Sequence, residues 1–140
     1  MTSRWVFLAG VLAAISVLVA LGVNQVIGWI WARPRPFVGH PHTLLLPASH
    51  DASFSSDHAT IALAAAVALF LMSRRLGLAA LAFATLVAFA RVYVGEPYLS
   101  DVLGGAVVGS VVALRVWTAR PHVEALLAPV LRLARRARLA

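Results

Sequence analysis

The chain alternates long apolar runs with short polar clusters. The first run covers residues 5–31. It is long enough to cross a bilayer, which takes about 20 apolar residues. Trp29 and Trp31 suit the far membrane interface. Asn24 and Gln25 are polar at depth and are expected to face other helices. Pro34 and Pro36 then stop the helix. A loop follows over residues 32–56, rich in Pro, His and Gly and carrying His40, His42, His50 and Asp51. Long loops of this kind are often functional.

Three further apolar segments are read at residues 57–73, 76–90 and 101–116, with Ser73-Arg74-Arg75-Leu76-Gly77 as the turn between the first two. All three are short for a bilayer, which predicts little tilt or local thinning. Gly104, Gly105 and Gly109 line one side of the last segment. Gly105 and Gly109 form a Gly-x-x-x-Gly pair that permits close helix packing. The tail, residues 121–140, places Val123, Leu126, Leu127, Val130, Leu131 and Ala134 at helical spacing, with Arg132, Arg135, Arg136 and Arg138 between them. That pattern predicts an amphipathic helix on an anionic membrane surface. The expected fold is all-α: an integral membrane bundle of four transmembrane helices plus a C-terminal amphipathic helix. Residues 1–120 form the transmembrane domain and 121–140 the basic tail. No internal repeat or low-complexity segment is present.

Composition strengthens the membrane reading. Of 140 residues, 61% are hydrophobic and 12% charged, against about 45–50% and about 25% in a soluble domain. Mean hydropathy is +0.89. The absence of cysteine excludes disulfides and thiolate metal sites. The net charge is +7 and every basic residue is Arg. These arginines do not line a soluble face, so nucleic acid is not the expected partner. Residues 1–20 loosely resemble a signal peptide, but the apolar run continues past Val23 without a cleavage site, which predicts a retained helix.

Charge also orients the chain. With four spans, Arg4, Arg74, Arg75, Arg115, Arg120 and the tail arginines share one side, which the positive-inside rule makes cytoplasmic. Both termini are then cytoplasmic. Arg33, Arg35 and Arg91 fall on the extracytoplasmic side, against the bias, and each borders a helix end. Binding an anion is the simplest reason for them.

The stretch 54–60 offers the chemistry. Ser55 or Ser56 can cap the helix that begins there. His58 sits in its first turn, where unpaired amides and the helix dipole favour an anion. A histidine beside such a site can hand a proton to a leaving oxygen. His40, His42 and His50 read as a polar loop rather than metal ligands, since no carboxylate is well placed among them. No metal or cofactor is expected. Tyr93, Tyr98 and the tryptophans read as interfacial anchors.

Three motifs in order, Arg33-Pro34-Arg35-Pro36-Phe37, Ser56-Asp57-His58, and Arg91-Val92-Tyr93-Val94-Gly95 through Ser100-Asp101-Val102-Leu103-Gly104-Gly105, resemble the type 2 phosphatidic acid phosphatase (PAP2) superfamily. The similarity covers about residues 24–109 and leans toward its bacterial undecaprenyl-diphosphate phosphatases, which act in cell-wall lipid cycling. It implies a metal-independent hydrolase that removes phosphate from a membrane lipid phosphate through a phosphohistidine. It also implies roles. Arg35 and Arg91 are phosphate ligands, with Arg33 beside them. Ser56 holds the phosphate by hydroxyl and amide, and Asp57, in a motif position that is often Gly, is counted with the phosphate-binding residues. His58 is the general acid, and Asp101 orients the nucleophile.

Three positions depart from the pattern. Gly28 replaces a lysine, Ser55 replaces a proline, and Pro97 occupies the place of the nucleophilic histidine. Proline cannot attack phosphorus. Glu96, a water activated by His58 or Asp101, or a loop histidine are the available substitutes. Members of the family usually carry about six helices, and only the four-helix core is legible, as if the first two were missing. The expected function is hydrolysis of a polyprenyl (undecaprenyl) diphosphate or related lipid phosphate at the extracytoplasmic face. The alternative is a catalytically impaired relative that binds phosphorylated lipid or serves as a partner subunit. A third possibility is a small structural protein whose motif residues are relics. Homo-oligomerisation is left open.

Overall fold

The computed structural model describes residues 3–31, 54–93 and 98–137. They form five helices: α1 (Ser3–Ile30), α2 (Asp57–Met72), α3 (Arg74–Tyr93), α4 (Leu99–Thr118) and α5 (Arg120–Ala137). The described residues contain no strand.

The first four helices alternate in direction. Asn24, near the end of α1, bonds the residues that open α2. α2 then leads away, and a single residue, Ser73, separates it from α3, which returns. The start of α4 meets the start of α2 through a backbone bond from the Ser56 amide to the Asp101 carbonyl, 3.0 Å. One end of the bundle therefore gathers the end of α1, the start of α2, the end of α3 and the start of α4. Arg74, Arg75, Arg115 and Arg120 lie toward the opposite end.

α2 is the centre, packed by α1, α3 and α4. Its sequence suits that place. Ala59, Ala64, Ala66 and Ala68 are buried and point to different sides of the helix, as expected of a segment covered all round. Small side chains also let neighbouring backbones approach. Gly105 and Gly109 of α4 sit on the Ser56 carbonyl, Thr60 and the Ala64 amide of α2, so the Gly-x-x-x-Gly pair packs as the sequence predicts. Gly77 of α3 crosses α2 at Phe70. The core continues away from the polar end through Leu8, Leu12, Ala20, Ala64, Val112 and Val116.

Two helices exceed their expected bounds. The segments read as 76–90 and 101–116 are each 20 residues long, Arg74–Tyr93 and Leu99–Thr118. Arg74, Arg75, Leu76 and Gly77 belong to α3 rather than to a turn, because Ser73 alone reverses the chain and its amide still bonds Leu69 O at 2.8 Å. α4 starts early because Asp101 reaches back to cap it, as described below. Among the described residues, three helices are long and apolar enough to cross a membrane: Trp5–Ile30, Arg74–Tyr93 and Leu99–Thr118. α2, at 16 residues, spans about 24 Å at 1.5 Å per residue, less than the roughly 30 Å of a hydrocarbon core.

In α5, Val123 and Leu127 pack on the core while Leu126 is 77% exposed. Part of the apolar face thus rests on the bundle itself. The Arg120 guanidinium lies 4.3 Å from the ring centroid of Trp117, a cation–π contact across the α4–α5 junction.

Candidate active site

The polar end of the bundle is built around one buried amide. Asn24 is 2% exposed. Its Nδ2 donates to the Ser55 carbonyl at 2.8 Å and to Asp57 Oδ1. Its Oδ1 accepts from the Ser55 hydroxyl and, at 3.2 Å, from the Thr60 hydroxyl. Both donors and both acceptor directions of the amide are in use. This explains how a polar residue is tolerated at depth in α1, since a buried amide left unpaired is costly. Next to it, Gln25 Nε2 donates to Asp57 Oδ2 at 3.2 Å. Trp31 and Phe54 close the same corner with ring centroids 5.7 Å apart.

Ser56 is the N-cap of α2, and its side-chain oxygen accepts from the Ala59 amide at 3.5 Å. Of the two serines read as possible caps, Ser56 takes the role and Ser55 turns to Asn24. Asp57 and His58 follow in the first turn. Asp57 is half-buried and held by α1, whereas His58 is exposed. The first amides of a helix lack intrahelical acceptors, so an exposed imidazole stands beside a ready anion-binding position.

Asp101 is fully buried at 0% exposure. Its Oδ2 accepts from the Tyr98 amide at 3.0 Å, and Oδ1 accepts from the Ser100 hydroxyl at 3.5 Å. It is the third helical residue of α4 reaching back to the N-cap amide, one half of a capping box. Its own carbonyl takes the Ser56 amide. Asp101 therefore couples two helix starts.

Arg91 lies in the last turn of α3 and is half-buried. It is 17 residues beyond Arg74, or about 26 Å along the helix, close to the full length of α2. Arg91 therefore comes level with the α2 start, and as a cation at a helix C-terminus it also complements the dipole. Ser56, Asp57, His58, Arg91 and Asp101 lie toward one end of the bundle. Arg33, Arg35, His40, His42, His50, Glu96 and Pro97 lie outside the described residues. Among the described residues, no group of three or more His, Cys, Asp or Glu is arranged to hold a metal ion.

A cleft of about 260 Å³ opens beside this turn, lined by Asn24, Gln25, Gly28, Trp29, Phe54, Ser55 and Asp57. Sequence reasoning placed Asn24 and Gln25 against other helices but missed that they hold the motif turn. Thr60 was missed as well. The available signal was two adjacent amides late in an apolar span, with a Ser-Ser-Asp cluster ahead of the next helix.

A buried amide hub, a serine-capped turn with an exposed histidine, a buried aspartate at a second helix start and an arginine at a third helix end thus lie toward one end of an all-helical bundle, three of whose described helices are long and apolar enough to cross a membrane. The PAP2 superfamily model matches residues 8–124, and the chain belongs to that superfamily. It is 40% identical over 100 residues to the undecaprenyl-diphosphatase BcrC of Bacillus subtilis, covering 71% of this chain and 52% of the relative. It is 35% identical over 114 residues to the putative undecaprenyl-diphosphatase YbjG of Escherichia coli, covering 78% and 57%. An undecaprenyl-diphosphatase of Sulfolobus acidocaldarius is 36% identical over 103 residues, covering 72% and 50%. The chain thus spans about half the length of the curated relatives it matches. No solved structure matches it.

Proposed function

We propose that this protein binds a polyprenyl diphosphate or related lipid phosphate at the extracytoplasmic membrane face and hydrolyses it. The observation that carries the reading is the shared bundle end, where the Ser56 amide bonds the carbonyl of buried Asp101, exposed His58 follows in the same turn as Ser56, and Arg91 comes level from the last turn of α3. Family membership and three relatives named for undecaprenyl-diphosphatase activity support the substrate class.

In this reading Ser56, the first amides of α2 and Arg91 hold the terminal phosphate, joined by Arg33 and Arg35. Preorganised donors of this kind stabilise the charge that spreads over the transferring phosphoryl group. Water adds to the terminal phosphorus as the bond from phosphorus to the bridging oxygen breaks, and the water's protons leave with the released phosphate, one of them later restoring His58. His58 gives its proton to that oxygen. The products are inorganic phosphate and the lipid monophosphate. α2 serves as a fourth span, its short length relieved by the three helices around it. Both termini are then cytoplasmic, consistent with Arg74, Arg75, Arg115 and Arg120 lying away from the site.

A second reading is favoured by two particular residues. Pro97 stands where the family has its nucleophile, and the Asp101 carboxylate already caps α4 through Tyr98. Under this reading the chain binds the lipid phosphate without turning it over, or acts as a partner subunit.

The test is phosphate release from farnesyl diphosphate by purified protein in detergent. The hydrolase reading expects release that His58→Ala abolishes, and activity surviving that change rejects the role of His58. The binder reading expects an inert wild type and a Pro97→His variant that gains activity. Turnover by the wild type eliminates the binder reading.

A further inference from the structure

We infer that Gln25 and Asn24 are positioning residues for the anion site, acting through Asp57. The inference rests on the phosphate-binding reading above. Asp57 is the first residue of α2, so its carboxylate shares the helix start with the amides that would receive a phosphate. A carboxylate free to swing there would compete for those amides and repel the incoming charge. Both of its oxygens are instead taken by α1: Oδ2 by Gln25 Nε2 at 3.2 Å and Oδ1 by Asn24 Nδ2. His58, about 100° further round the helix, remains exposed. The clasp thus keeps the Asp57 charge on the α1 side of the turn and leaves the side bearing His58 to the anion. It also lets an acidic residue support the helix dipole without blocking the site.

Asn24 has four partners, and its replacement disturbs the fold. Gln25 is exposed and its side-chain amide donates to Asp57, so it carries the test. Binding of two probes, inorganic phosphate and farnesyl diphosphate, is measured by titration calorimetry on the full chain in detergent. Wild type, Gln25→Ala, Asp57→Asn and the double variant are compared.

Gln25→Ala is expected to weaken both probes by about three- to tenfold, the effect of a released carboxylate a few ångströms from the site. In the Asp57→Asn background the same change is expected to alter affinity by less than about twofold, because the charge it would release is gone. Equal losses for the two probes are expected, since the charge acts on the phosphate they share. Loss confined to farnesyl diphosphate would assign Gln25 to the prenyl chain and overturn the proposal. So would a Gln25→Ala protein that binds as wild type does, or one that loses equally in both backgrounds. A wild type that binds neither probe removes the anion site and rejects the proposed function itself.

Discussion

The Ser56 amide donates to the Asp101 carbonyl at 3.0 Å, fastening the start of α2 to the start of α4. Two motifs far apart in sequence meet through main chain, and the fit depends on Gly105. A Cβ there would stand 2.6 Å from the Ser56 carbonyl and 2.8 Å from Thr60 Oγ1. The nearest atom is backbone and cannot step aside.

Gly105→Ala is therefore expected to destabilise the protein by about 1–3 kcal/mol through overpacking. The gain in helix propensity, up to about 1 kcal/mol, does not offset it. Thermal unfolding in detergent measures the change. A midpoint equal to or above that of wild type would show that the helices are not in such contact.

Asn24→Leu keeps the side-chain volume close but strips the hub. The Ser55 carbonyl and the Ser55 and Thr60 hydroxyls lose their partner, at about 1–3 kcal/mol for each group left unsatisfied. A loss of several kcal/mol is expected, while Thr60→Val removes one donor and costs about 1 kcal/mol. The ordering of the two midpoints checks the hub. Similar effects would contradict it.

Asp101→Asn keeps an oxygen for the Tyr98 amide, whereas Asp101→Ala leaves that amide without its cap. The alanine variant is expected to lose about 1–2 kcal/mol, with most of it recovered in the asparagine variant. Equal losses would mean that the negative charge, rather than the cap, holds α4 in place.

Much of this arrangement was legible in the sequence because local rules govern it. Ser56 could be read as a cap, the Gly105–Gly109 pair as a close crossing, and Asn24 as inward-facing. What the sequence hid was partnership. Nothing local says that Asn24 answers Ser55, Asp57 and Thr60, since hydrogen bonds across helices depend on their relative placement. The early starts of α3 and α4 were hidden for a related reason. Arg74 and Arg75 are unfavourable at a helix N-terminus, so they read as turn residues. Tyr98 is a poor cap by composition and serves only because Asp101 reaches back to its amide.

The proposed orientation has a clean assay, because the chain contains no cysteine. Ser100→Cys and Thr118→Cys place single thiols near opposite ends of α4, both at exposed positions. In intact cells a membrane-impermeant maleimide is expected to label the first and not the second. The reverse pattern would invert the topology.

The central claim is that one end of the bundle holds a phosphate, and binding of farnesyl diphosphate to Arg91→Ala and Ser56→Ala proteins in detergent tests it most directly. Each variant removes a hydrogen bond to a charged group, worth about 1.5–3 kcal/mol, so affinity should fall roughly 10- to 100-fold. Both variants binding as tightly as the wild type would contradict the account.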